Sequence, residues 1–323
     1  MAFKEKQIPI LILIILLVSY AYFIHFIGRE SWNATSRLAL TYSIAERGTF
    51  RIDPYQSQTG DKVYYQGHFY SDKAPGASLL GVPFYLILKW VGVSSEKFMR
   101  YGLTLLVIGI PSLIAALFLY RLTGFWDGFS FRDRSLVTLV YGLGTLAFPF
   151  STIFYGHQLA AALGIIAFFF LYLSGLKRPG RSWLSAVSGF LAGAAFLADF
   201  PAAIILIFLV AYGFLRKETR RRMFAWSAGA ALPVLFLFWY NYSCFGSPFI
   251  FSYSLHHTYS HSRGILGVGW PRLSALWGIS FSSYRGIFFQ SPVLLLALPG
   301  FYFWWRRRKN RSELYLSLAV VLA

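Results

Sequence analysis

The 323-residue chain is short of almost everything a water-soluble protein carries on its surface. Only 13% of its residues are charged, about half the share of a soluble domain, which excludes a cytosolic enzyme and a disordered tail. Its one cysteine, Cys244, cannot form an intrachain bridge, so a secreted disulfide scaffold is excluded too. Acids are scarce: 12 Asp and Glu stand against 30 Lys and Arg, a net charge of +18. No internal repeat, low-complexity segment or Gly-rich nucleotide loop is evident. What fills the chain instead is hydrophobic (57%), with 20% of all residues aromatic.

So large a positive excess would suit nucleic acid. Here, however, the basic residues form short clusters between long apolar runs, which is how membrane proteins place them, and no nucleic-acid partner is expected. Apolar runs lie near 8–27, 101–120, 135–152, 158–175, 182–198, 201–215, 223–240 and 288–305. A helix needs about 20 such residues to cross a ~30 Å hydrocarbon core. The first run is too long for a signal peptide and no small-x-small site follows it, so it reads as an uncleaved span. A last run starts at Leu314 and stops at Ala323, too short to cross, so the chain is expected to continue. The expected fold is all-α: a single polytopic membrane helix bundle of eight or nine spans.

Segment 76–93 is apolar but contains Gly81, Pro83 and Lys89, and parity decides its reading. If it does not cross and the amino terminus is cytoplasmic, most basic residues fall in short cytoplasmic loops: Lys4 and Lys6, Arg121 to Arg134, Lys177 to Arg181, Arg216 to Arg222, and Arg306 to Arg311. If it crosses, every cluster after the first lands outside, against the positive-inside rule. The segment is therefore expected to lie in or re-enter the outer interface. Two large outer regions follow, 28–100 and 241–288. The first should hold a helix from Asn33 to Gly48, capped by Asn33 or Thr35, with Leu38, Tyr42 and Ala45 on a stripe that lies along the membrane.

The outer regions carry short motifs: Tyr70-Ser71-Asp72-Lys73-Ala74-Pro75-Gly76, Tyr155-Gly156-His157, Asp199-Phe200-Pro201-Ala202, Phe245-Gly246-Ser247-Pro248 and Tyr284-Arg285-Gly286. With a first span, a long outer loop and a Lys-Pro-type element opening an apolar helix, the chain resembles the GT-C superfamily of integral-membrane glycosyltransferases. It is most similar to the protein O-mannosyltransferase and aminoarabinose-transferase type. The resemblance implies a polyprenyl-phosphate sugar as donor, an acceptor hydroxyl on the outer face, and residence in a bacterial inner (plasma) membrane. It carries Lys73 onto the position facing the lipid phosphate and His157 onto the family's second outer acid. The family's catalytic acid falls near Asn33 and Ala34, neither of them acidic, so either a neighbour such as Glu30 or Asp53 supplies the carboxylate or the activity is altered or lost.

The residues support a similar cast without the family. Sugar transfer from a lipid phosphate needs a base for the acceptor hydroxyl and cations for the leaving phosphate. Asp53 and Asp199 are the candidate bases, Asp199 because it ends a fully apolar helix where an ionisable side chain is costly. Arg37, Lys73 and Arg285 are outer-face cations against the general bias, and Asp72 adjoins Lys73. Asn33, Arg37, Asp72, Lys73, His157 and Arg285 are thus the candidate substrate-binding set. With a fourth ligand the histidines His256, His257 and His261 could bind zinc, although they match no strong zinc spacing; the cofactor stays unknown, with a divalent metal as the one candidate. Two rival readings stand beside the transferase: a non-catalytic scaffold, favoured by the missing acid at Asn33, and a lipid or polysaccharide transporter, disfavoured by the lack of midspan acids.

Overall fold

The computed structural model describes residues 7–24, 31–176, 181–255, 272–307 and 309–322. His25, Glu30, His256, His257 and His261 lie outside them. The described chain is helical except for one hairpin. Its main helices are α1 (Ile8–Phe23), α2 (Trp32–Arg47), α3 (Gly76–Trp90), α4 (Glu96–Thr123), α5 (Phe131–Gly144), α6 (Gly156–Ser174), α7 (Ser182–Ala198), α8 (Ala203–Leu215), α9 (Met223–Phe245), α10 (Leu273–Phe281), α11 (Ala297–Arg307) and α12 (Arg311–Leu322).

Three of these, α4, α6 and α9, are long and apolar enough to cross a membrane, and four further apolar helices are shorter. Two of the expected spans are interrupted. The run near 135–152 breaks at Thr145, whose backbone is extended, before a short helix Ala147–Ser151. The run near 288–305 breaks at Ser291, ahead of Pro292; proline cannot donate to the preceding turn. α4 stays continuous over 28 residues, but Pro111 leaves the Val107 carbonyl without its i→i−4 donor, and the ladder relaxes into a π turn at Leu105–Gly109.

The core of the bundle is the α6–α7–α9 layer. Gly189, Gly193, Gly229, Ala192 and Ala230 line the α7–α9 crossing, and small residues let helix backbones approach closely. Trp226 fills the space beside that crossing. It is 2% exposed, and its Nε1 donates to Ser188 Oγ at 3.1 Å. α4 packs on α6 through Phe118 and Phe169, and α1 packs on α4 and α5 through Tyr20, Leu113 and Tyr120.

Both ends of α3 meet the same end of the bundle. Gly76 abuts the backbone of Leu197 and Ala198, while Leu88 touches Gly102 near the start of α4. α2 differs from its expected form. Ser31, not Asn33 or Thr35, caps it, accepting from the Ala34 N–H, and Gly48 ends it at φ +62°. It is also no surface helix: every residue from Ala34 to Ser43 is buried, because α3 covers one side and the 51–72 segment another.

That segment contains the departure from an all-helical chain, an antiparallel hairpin of β1 (Lys62–Tyr65) and β2 (His68–Ser71), with Val63 opposite Tyr70. Gln66 and Gly67 turn it with positive φ at both positions, the twist-matched two-residue turn.

Trp226→Ala should lower stability by about 3–5 kcal/mol, the range for emptying a large buried aromatic site. Trp183→Ala, at a position 61% exposed, should change it by under about 0.5 kcal/mol. Unfolding titrations in one detergent, followed by circular dichroism, separate the two.

Candidate functional site

The chemistry gathers where α2, the Ser71–Gly76 turn, the start of α6 and the end of α7 meet. Arg37, in the second turn of α2, is fully buried. Its Nε donates to Asn33 Oδ1 at 3.0 Å, and its Nη1 donates to the carbonyls of Ala74 at 2.9 Å and Ala198 at 3.2 Å. Its Nη2 lies 3.8 Å from Asp199 Oδ1. Neither of these last two atoms has a hydrogen-bond partner among the described residues.

Asp199 is in extended backbone just past α7 and is 5% exposed. Its Oδ2 meets His157 Nδ1 at 2.5 Å. The His157 side chain is 47% exposed and is flanked edge-on by the rings of Phe150 and Tyr155. Tyr155 in turn shares a 2.8 Å hydrogen bond with Ser31. A buried carboxylate on Nδ1 fixes the ring and leaves Nε2 as the open nitrogen.

Two motif glycines make this approach possible. A Cβ on Gly156 would sit 2.3 Å from the Ala198 carbonyl oxygen and 2.9 Å from Arg37 Nη2, and one on Gly76 would sit 2.6 Å from the Ala198 nitrogen. The two short motifs therefore close on the same residue from opposite sides.

Next to this group, Lys73 Nζ binds Asp61 at 2.8 Å and Asp72 at 3.1 Å. Burial pushes the ammonium pKa down, but the two carboxylates outweigh it and hold the pKa above its ordinary value. Lys73 therefore stays charged. Asp72 is fully buried, and its carbonyl accepts from Ser252 Oγ at 2.7 Å. Tyr253 joins the two groups: Lys73 lies 5.8 Å from its ring centre, and its hydroxyl feels the charges of Lys73, Arg37, Asp199 and Asp72. Burial, the largest influence, raises that hydroxyl's pKa.

Of the residues expected from sequence, Asn33, Arg37, Asp72, Lys73, His157 and Asp199 thus come together. Asp53 does not join them through its described contacts. It accepts from the Phe69 N–H at 2.7 Å and pairs with His68 at 2.8 Å, which pins the hairpin to the 3₁₀ turn Asp53–Gln58. Arg285 sits exposed on the Ser282–Gly286 turn, 5.0 Å from the ring of its neighbour Tyr284. Asp61, Ser252 and Tyr253 were missed. Asp61 lies in an ordinary Gly-Asp-Lys turn, and nothing local marks the other two, which reach the site only through tertiary folding. Among the described residues, no three His, Cys, Asp or Glu side chains are close enough to hold a metal ion.

Removing Arg37 should be costly, because it would leave Asp199 buried beside two unpaired carbonyls. Arg37→Met, similar in length, should destabilise the protein by about 3–5 kcal/mol, measured by the same unfolding titration. Arg37→Met combined with Asp199→Asn should recover part of the loss, since the uncompensated charge is then gone. No family model, curated protein or solved structure matches the chain.

Proposed function

We propose that the chain is a membrane glycosyltransferase of GT-C type. It moves a sugar from a polyprenyl-phosphate donor to an acceptor hydroxyl on the outer face of a bacterial plasma membrane, with its amino terminus in the cytoplasm. One observation carries the reading: the Asp199–His157 pair, with its nitrogen open to solvent, stands next to a half-buried Lys73 at the opening of an apolar helix. A base and a phosphate-seeking cation are what this transfer requires.

In this reading, His157 Nε2 takes the proton of the acceptor hydroxyl. The acceptor oxygen forms the new bond to the sugar's anomeric carbon, and the bond from that carbon to the phosphate oxygen breaks. The electron pair leaves with the polyprenyl phosphate. Asp199 holds the imidazole and stabilises the imidazolium, so it positions the base and does not act as one. Lys73 faces the leaving phosphate. Asp61 is its exchangeable partner, since it sits in the turn before β1, whereas Asp72 is buried. The family's acid has no counterpart at Asn33, whose amide oxygen accepts from Arg37, so in this reading the proton falls to His157.

The helix ends support the orientation. Arg121, Arg134, Arg181, Arg216 and Arg307 are all at the end of the bundle away from His157. There Leu122 packs on Tyr172 of α6, 15 residues from His157, or about 22 Å along the helix at ~1.5 Å per residue. Both ends of α3 lie at the His157 end, in keeping with a segment that does not cross. The scaffold reading keeps one support, the Asn33 substitution, and the activity assay decides between the two.

Purified protein incubated with radiolabelled polyprenyl-phosphate sugars should transfer label to an acceptor. Lys73→Ala should cost roughly 10- to 150-fold, the worth of a charge-assisted contact of about 1.5–3 kcal/mol. His157→Ala should cost about 10²- to 10⁴-fold. Lys62→Ala should leave transfer near wild type, because among the described residues Lys62 binds Gln56 and lies over the face of Phe69. No transfer with any donor, or equal rates for the three variants, would favour the scaffold.

Orientation has its own test. Cys244 is buried and Ser94 is exposed, so Ser94→Cys can be probed with an impermeant thiol reagent on intact cells. Ser94→Cys should be labelled from outside. Its protection in cells, with labelling only after lysis, would mean that 76–93 crosses.

A further inference from the structure

A cavity lies at the far end of the bundle from His157 and takes no part in the proposed chemistry. It measures about 600 Å³, and its lining includes Trp126, Phe129, Phe303, Trp304, Arg307 and Lys309. Its walls are aromatic: Trp126 and Trp304 stand 5.5 Å apart with rings tilted by 53°. Its charged groups are two cations and one acid. Trp304 Nε1 donates to the Lys309 carbonyl at 3.2 Å, which holds that residue against the cleft. The acid, Asp127, is 3.4 Å from Lys309, and its side chain is 90% exposed, so solvent and salt screen it.

We propose that this cleft binds the headgroup of an anionic phospholipid in the leaflet opposite the His157 end. Three features favour that occupant. The mouth carries Arg307 and Lys309, with Arg306 and Arg311 just outside it, so it attracts negative charge. Paired tryptophans belong at the boundary between hydrocarbon and water, and basic pockets between membrane helices on the cytoplasmic side suit phosphate headgroups. The apolar wall of the cleft is itself uncovered: Phe303 is 62% exposed and Phe129 39%. Acyl chains would cover that surface, whereas a free phosphate would leave it bare.

The proposal rests on the membrane reading of the chain but not on transfer activity, so its test is one of binding. Detergent-purified protein is titrated with phosphatidylglycerol or phosphatidylcholine of the same chain length, and bound lipid is counted by native mass spectrometry. Phosphatidylglycerol should occupy the first site about 5- to 30-fold more tightly, the effect of one to two cations near the surface. Arg307→Gln with Lys309→Gln should bring that preference below about 3-fold. Lys217→Gln with Arg221→Gln removes the same charge from the same end but outside the cleft, and should leave the preference intact. No preference in the wild type, or an equal loss in both double variants, overturns the proposal. So does displacement of the lipid by millimolar glycerol phosphate, which would mark the cleft as a site for free anions. The exposed positions of Arg307 and Lys309 should leave folding unaffected, and an unchanged circular dichroism spectrum checks this.

Discussion

The site depends on a guanidinium kept out of water. Arg37 reaches from the second turn of α2 to the Ala74 carbonyl, the Ala198 carbonyl and the Asp199 carboxylate, groups from two segments far from it and from each other in sequence. Burying a charge is expensive unless paired and hydrogen-bonded, so these partners are fixed by the cost of losing them. The planar fork suits the task, since it can serve several oxygens at once where an ammonium would act as a point charge. Once Arg37 is in place, the end of α7 cannot move without exposing it, Asp199 cannot turn away, and His157 is oriented in consequence. Ser78 Oγ, donating to the Arg37 carbonyl at 2.8 Å, and Thr41 Oγ1, donating to the Ser78 carbonyl at 3.1 Å, lock α3 to the same helix.

Much of this was legible in the chain. The helical class and the three longest apolar helices follow from hydrophobic runs, because a helix in lipid must satisfy its backbone internally and be apolar over its length. Six of the eight candidate site residues meet because short motifs at helix ends mark places where polar groups are costly and therefore selected for. Other features were hidden. α2 shows a polar composition that suggests a surface position, yet Ser36, Arg37 and Thr41 are buried and hydrogen-bonded inside the protein. The hairpin was masked by Gln66, which stands where Asn or Asp would normally signal a tight turn. Asp53, an acid in a loop of acids, has a local purpose that only the Phe69 N–H and His68 reveal.

The two ends of the bundle divide the chemistry between them. At the His157 end, opposite charges are interleaved and buried, and the hairpin and α3 close over them. At the other end, cations predominate and tryptophans gather. A second buried network, Glu313 with Arg216 at 3.0 Å and Tyr212 at 2.8 Å, fastens α12 to α8 there. Charge at one end is spent on internal order, while at the other most of it faces outward.

The covering of Arg37 has a further consequence. α2 is wrapped by protein on the sides described above, by α3 and by the 51–72 segment, so the low dielectric around Arg37, Asp199 and Asp72 is supplied by the polypeptide itself. Lipid tails contribute little to it. The electrostatic setting of these groups is therefore portable: it should travel with the molecule from bilayer to micelle, where a site whose burial relied on surrounding hydrocarbon would be rehydrated on extraction.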